Sequence, residues 1–189
     1  MTTANKITVF RICLIPVFLI LLYADASHWA LAVFLIACLS DTADGYIARH
    51  YNQVTDFGKF MDPLADKMLV LSAMCAFIEA GRLSGWAVAV VLFREFAVSG
   101  MRLIAAEQGR VIAAAWSGKV KTTVTMLALA LMLAVSYSRT LDLICTVLIL
   151  ITTVSSGAEY LWKNRDVFLS ERKRENESSD SQQQQRRRA

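Results

Sequence analysis

The chain has 189 residues, of which 56% are hydrophobic and 19% charged, below the roughly 25% charged residues of soluble domains. With a mean hydropathy of +0.44, 8 Gly and 2 Pro, it is neither a disordered chain nor a low-complexity linker. The net charge of +4 comes with no basic stripe interleaved with aromatics, so no nucleic-acid partner is expected. The class that remains is an integral membrane protein of one domain.

In chain order, six apolar stretches run at about Ile7–Tyr23, Trp29–Ala48, Met61–Ala80, Gly85–Ala105, Lys121–Tyr137 and Leu141–Trp162. Each is near the ~20 residues a helix needs to cross a bilayer. Lys6 and Arg11 before the first stretch resemble the start of a signal peptide. More stretches follow and no small-residue cleavage site is evident, so the first is read as a retained span. The predicted fold is all-α: six transmembrane helices in one bundle over 1–162, with a polar cavity facing the cytoplasm. Lys6, Arg11, Arg49, Lys59, Arg110, Lys119 and Lys121 share one set of segments with the C-terminus, while the other loops carry only Arg82 and Arg139. The positive-inside rule then places both termini in the cytoplasm of a multi-pass protein of the cell membrane. Residues 163–189 hold 8 basic and 5 acidic groups and almost no apolar residue after Leu169. They form a solvated cytoplasmic tail that cannot bury a core, with weak adhesion to anionic lipid as the alternative. Cys13, Cys38, Cys75 and Cys145 lie singly in apolar runs and read as small apolar side chains.

The charged residues inside or beside these stretches carry the chemistry. Asp41 and Asp44, three apart, close the second stretch; Asp62 and Asp66, four apart, open the third. On helices such spacings place each pair on one face, and the loop between returns both ends to the same membrane side. Four clustered carboxylates repel, and near hydrocarbon they are costly. Cations between them relieve both penalties. Oxygen ligands select Mg²⁺, Mn²⁺ or Ca²⁺ over zinc, and four carboxylates can share two ions. Gly45 and Ala48 are small, and Arg49 is a planar multi-donor cation suited to phosphate. Together these residues describe a pyrophosphate site whose expected cofactor is a pair of Mg²⁺ or Mn²⁺ ions.

The string Asp41-x2-Asp44-Gly45-x2-Ala48-Arg49-x8-Gly58-x3-Asp62-x3-Asp66 is similar to the signature of the CDP-alcohol phosphotransferases, and all eight fixed positions match. The resemblance covers the body from about Asn5 to Trp162. It implies metal-dependent transfer of a substituted phosphate from a CDP-linked donor to an alcohol, with release of CMP. It places Asp41, Asp44, Asp62 and Asp66 on the metal ligands and Asp66 also on the catalytic base. It also implies donor contacts at Asn5, Gly45, Arg49 and Thr55, and a homodimer.

A second polar set bears on the acceptor alcohol. Arg94 and Glu95 interrupt the fourth stretch, Arg102 lies two turns on, and Lys119 and Lys121 open the fifth after Gly118. An intramembrane arginine faces the bundle interior or a wet cavity. With Arg102, Lys119 and Lys121, Arg94 can line a cationic pocket for a phosphorylated alcohol. The alternative for Arg102, Lys119 and Lys121 is a role as positive-inside anchors. An Arg94–Glu95 pair is not expected, because neighbours diverge on a helix. Arg94-Glu95, Ser99-x2-Arg102, Gly118-Lys119-Val-Lys121-Thr122, Asn5-Lys-Ile-Thr8-x2-Arg11 and Asp62-Pro63-Leu64-Ala65-Asp66-Lys67 resemble the bacterial branch of the family that forms phosphatidylglycerophosphate. That branch uses CDP-diacylglycerol and sn-glycerol 3-phosphate. Two alternatives are another acceptor, such as inositol phosphate, and a divalent-cation transporter. The transporter is disfavoured because all four aspartates sit at one end, which makes a half-site and no through-pore.

Overall fold

The structure is a computed structural model that describes residues 3–50, 56–107, 109, 115–135 and 137–165; of these, the side chains of 3–7, 41–50, 56–60, 62, 63 and 66 are outside the description. Among the described residues there are six helices: α1 (Thr3–Tyr23), α2 (Ser27–His50), α3 (Asp56–Glu79), α4 (Gly85–Glu107), α5 (Trp116–Ala134) and α6 (Arg139–Lys163). Their order and number match the six apolar stretches. The largest shifts are at the starts of α3 and α5, each five residues before the predicted Met61 and Lys121. Lys119 and Lys121 are therefore helical residues rather than a helix boundary.

The links between helices at one end are tight. After α1, Asp25 adopts φ 56°, the left-handed region that Asp tolerates better than most residues. After α3, Gly81 adopts φ 67°, and the Arg82 amide donates to Phe77 O at 2.9 Å. A left-handed glycine closing a helix in this way satisfies carbonyls the helix would otherwise leave open.

Helix α1 packs on α2 and α3, α5 on α6 and α2, and α4 on α6 and α3. The main core joins Phe18, Phe34, Leu69, Met74, Val91, Leu129, Met132 and Ile149. The rings of Phe18 and Phe34 meet with centroids 5.8 Å apart. A smaller apolar cluster of Val98, Met101 and Tyr160 ties α4 to the end of α6. Outward faces are also apolar: Ile20, Trp29, Phe93, Phe96, Ile151 and Val154 are all exposed, Phe93 by 75%. So much exposed apolar surface marks a lipid or protein contact face.

Among the described residues, α5 and α6 are each long and apolar enough to cross a membrane, and Thr8–Tyr23 of α1 and Ser27–Ser40 of α2 are apolar helical segments. Arg94 and Glu95 interrupt the apolar run of α4. Cys145 is buried, Cys38 half-buried, and Cys13 and Cys75 exposed.

Candidate active site

Five helices surround a cavity of about 760 Å³. Helix α2 contributes Cys38; α3 Lys67 and Val70; α4 Arg94, Glu95, Ser99 and Arg102; α5 Lys119, Lys121 and Thr122; and α6 Tyr160. Among the described residues, the lining carries five cationic side chains and one carboxylate. Arg94 and Arg102 fall on the cavity side because eight residues bring a helix close to two whole turns.

Glu95 is the junction of the charges. Its Oε1 accepts from Lys121 Nζ at 2.7 Å and from an Arg94 Nη at 3.0 Å. Its Oε2 lies 3.8 Å from Lys67 Nζ, and Lys67 also donates to Ser99 Oγ. The side chains of Lys121, Arg94 and Glu95 are only 6%, 12% and 16% exposed. Two cations on one oxygen stand at most roughly 6 Å apart. At an effective dielectric of about 20 they repel by about 3 kcal/mol. The carboxylate between them offsets that repulsion. Arg94 Nε is buried and has no hydrogen-bond partner among the described residues, so the cluster keeps a donor in reserve.

The Arg94–Glu95 contact corrects the expectation that these neighbours diverge. Their Cα–Cβ directions do diverge, but the long arginine stem curls along α6 and returns its guanidinium to Glu95. Gly157 makes this possible. A Cβ at residue 157 would stand 2.9 Å from Arg94 Cγ, closer than real contacts allow. Gly118 is a looser neighbour, its notional Cβ 3.6 Å from an Arg94 Nη.

Arg102 lies at the rim, where its Nε donates to the Tyr160 hydroxyl at 3.0 Å and its guanidinium stands 5.5 Å from that ring's centroid. Lys119 lies over Trp116 at 5.8 Å. The structure thus brings Arg94, Arg102, Lys119 and Lys121 to one cavity. Arg11, counted from sequence as a loop charge, is instead fully buried together with Thr8. Helix α1 begins at Thr3, which places Arg11 two turns inside it. Sequence reasoning missed Tyr160, Gly157 and the inward reach of Lys67. The one available signal was a run of small residues, Ser155-Ser156-Gly157-Ala158, near the end of α6.

Asp41, Asp44, Gly45 and Arg49 fall in the last turns of α2, Asp62 and Asp66 in the first turns of α3, and Asn5 in the first turn of α1. The side chains of all seven, and Thr55 altogether, lie outside the described residues. Among the described residues no three His, Cys, Asp or Glu gather as a metal site. The cavity nonetheless borders these positions along the chain. Its lining includes Lys67, one residue after Asp66, and Cys38, three before Asp41.

Residues 1–155 match the family described as CDP-alcohol phosphatidyltransferase. A Bacillus subtilis protein named CDP-diacylglycerol--glycerol-3-phosphate 3-phosphatidyltransferase is 41% identical over 181 residues, which cover 85% of this chain and 93% of that protein. An Escherichia coli K12 protein of the same name is 41% identical over 136 residues, 67% of this chain and 74% of the other. A Mycobacterium tuberculosis H37Rv protein named probable phosphatidylglycerophosphate synthase is 36% identical over 167 residues, 84% of this chain and 79% of its own.

Proposed function

The chain belongs to the CDP-alcohol phosphatidyltransferase family, and on that premise we propose that it moves the phosphatidyl group of CDP-diacylglycerol onto sn-glycerol 3-phosphate. The products are phosphatidylglycerophosphate and CMP. The names of relatives at 41% identity support this acceptor. The observation that carries it is the cavity in which Lys67, Arg94 and Lys121 converge beside the aspartate-bearing turns. A neutral alcohol gives this cluster of three cations nothing to bind, whereas a phosphomonoester carries close to two negative charges at neutral pH. Arg94, Arg102, Lys119 and Lys121 would hold that phosphate, with Arg102 and Lys119 at the rim.

The donor set fits a hard divalent cation: four carboxylates at helical spacing supply oxygen ligands. Asp41, Asp44, Asp62 and Asp66 would hold Mg²⁺ or Mn²⁺, as two ions. When bound, the ions neutralise pyrophosphate oxygens and stabilise the charge that develops on the leaving CMP. Asn5, Gly45, Arg49 and Thr55 would position the CDP-lipid. The glycerol hydroxyl forms a new bond to the lipid-side phosphorus while the bond from that phosphorus to the bridging oxygen breaks. CMP departs with that electron pair, and the Asp66 carboxylate accepts the hydroxyl proton. An aspartate is a weak base, but the hydroxyl becomes acidic as its bond to phosphorus forms. Fixing the acceptor by its phosphate supplies orientation, which is worth much of the barrier.

The same reading has six helices crossing the cell membrane, with both termini and the cavity mouth in the cytoplasm. Residues 1–162 form the catalytic body and 163–189 a cytoplasmic tail. The exposed apolar faces and the lysine and arginine asymmetry support it. The family resemblance adds a homodimer.

Purified full-length chain with CDP-diacylglycerol, Mg²⁺ and glycerol 3-phosphate tests the reaction. CMP should appear only when glycerol 3-phosphate is present. Release that is independent of acceptor, or faster with inositol phosphate, would refute this acceptor.

A further inference from the structure

The cationic cluster contains a residue that neither metal, donor nor acceptor accounts for. Glu95 places a carboxylate where the pocket would bind an anion, which at first sight opposes substrate. Its contacts argue otherwise. Lys121 Nζ and an Arg94 Nη share one oxygen at 2.7 and 3.0 Å, and Lys67 faces the other at 3.8 Å. Three cations from three different helices are thus gathered by one side chain. A buried lysine whose anionic partner is removed loses its proton or swings toward water.

We infer that Glu95 is a positioning and specificity residue: it gathers Lys67, Arg94 and Lys121 into one phosphate-receiving group and sets the charge of that group. With Glu95 ionised, Lys67, Arg94, Lys121 and that carboxylate keep a net charge of +2 in the inner part of the pocket, to which Arg102 and Lys119 add at the rim. A positive group so arranged favours a phosphomonoester dianion over a neutral alcohol. Two balances decide the sign of its effect. Direct repulsion between Glu95 and the substrate phosphate weakens binding. Loss of Glu95 disperses the cluster and leaves Lys121, which is only 6% exposed, without its anionic partner. The second effect dominates because it disarranges the donors that would meet the phosphate.

This inference rests on the acceptor reading above and deepens it. The test compares full-length unaltered chain, Glu95→Gln and Glu95→Asp in detergent micelles with Mg²⁺, following CMP release. KM is measured separately for glycerol 3-phosphate and CDP-diacylglycerol. Glu95→Gln should raise the KM for glycerol 3-phosphate by tenfold or more while leaving the KM for the lipid within about twofold. Glu95→Asp keeps the charge but shortens the reach, and should give an intermediate rise. Inorganic phosphate should inhibit the unaltered chain competitively against glycerol 3-phosphate and lose potency in the Gln variant in parallel. An unchanged or lowered acceptor KM, or equal rises for both substrates, overturns the inference. If the Gln variant does not fold, the Asp variant decides on the same criteria. An unaltered chain that releases no CMP overturns the acceptor reading and this inference together; an active one with an unmoved acceptor KM in the variants overturns this inference alone.

Discussion

At the scale of single residues, Gly157 governs the pocket through space it leaves empty. Any side chain there drives into the Arg94 stem, 2.9 Å from a notional Cβ. Gly157→Ala gains about 1 kcal/mol of helix propensity, so the fold should hold while Arg94 is displaced from Glu95. The expected result is a severalfold higher KM for glycerol 3-phosphate at unchanged melting temperature. Gly118→Ala meets Arg94 at an ordinary 3.6 Å and should leave KM near the original value, measured in the same CMP assay. Asp66→Asn tests the proposed base. Losing a general base typically costs roughly 10²–10⁴ in rate, and loss of a metal ligand adds to that. CMP release should fall at least a hundredfold with binding of the CDP-lipid less affected. The aspartates stood out in the sequence because three- and four-residue spacings mark a helical carboxylate pair, and their joint role is the proposed one. Glu95 and Gly157 did not, since a carboxylate beside an arginine and a glycine in an apolar helix acquire meaning only from what stands opposite.

At the scale of elements, the end of the bundle away from the cavity is held by one buried ion pair. Arg82, in the α3–α4 turn, donates to both oxygens of Asp142 in the first turn of α6, at 2.8 and 3.0 Å. It also donates to the Val135 carbonyl at 3.3 Å and lies 5.1 Å from the Phe77 ring centroid. One side chain therefore joins α3, α5 and α6. The Tyr23 hydroxyl, donating to Glu79 Oε2 at 2.5 Å, links α1 to α3 at the same end. Arg82→Ala leaves the Asp142 side chain, 5% exposed, without its cation. Breaking a buried pair by removing one partner costs roughly 3–5 kcal/mol. A markedly lower melting temperature in detergent is expected. The double replacement Arg82→Met with Asp142→Leu should recover most of the loss, since no buried charge then remains unpaired. The sequence marked Arg82 only as a charge in one of the less basic loops. The contact spans 60 residues, beyond the reach of any local pattern.

At the scale of the whole molecule, apolar faces and charge asymmetry predict a definite placement. Tags at either terminus should survive protease added to intact cells with the outer barrier removed, and should be cut in inverted membrane vesicles. Cleavage from outside would reverse the proposed topology. Chelation of divalent ions should abolish CMP release, and Mg²⁺ or Mn²⁺ should restore it, because four mutually repelling carboxylates cannot hold a pyrophosphate unaided. Activity that survives exhaustive chelation would remove the metal from the mechanism.

Hydrophobic periodicity and length by themselves determined six helices, since each must satisfy its backbone internally and bury or expose an apolar face along its whole length. The string from Asp41 to Asp66 determined the kind of chemistry through its resemblance to a family signature, and the chain belongs to that family. Tertiary structure alone decided which cations face one another. Lys67, Arg94 and Lys121 come from three helices, and their convergence on Glu95 depends on crossing geometry and on the gap at Gly157. Coulomb forces act through space, and the chain does not write distances between its helices into its local order.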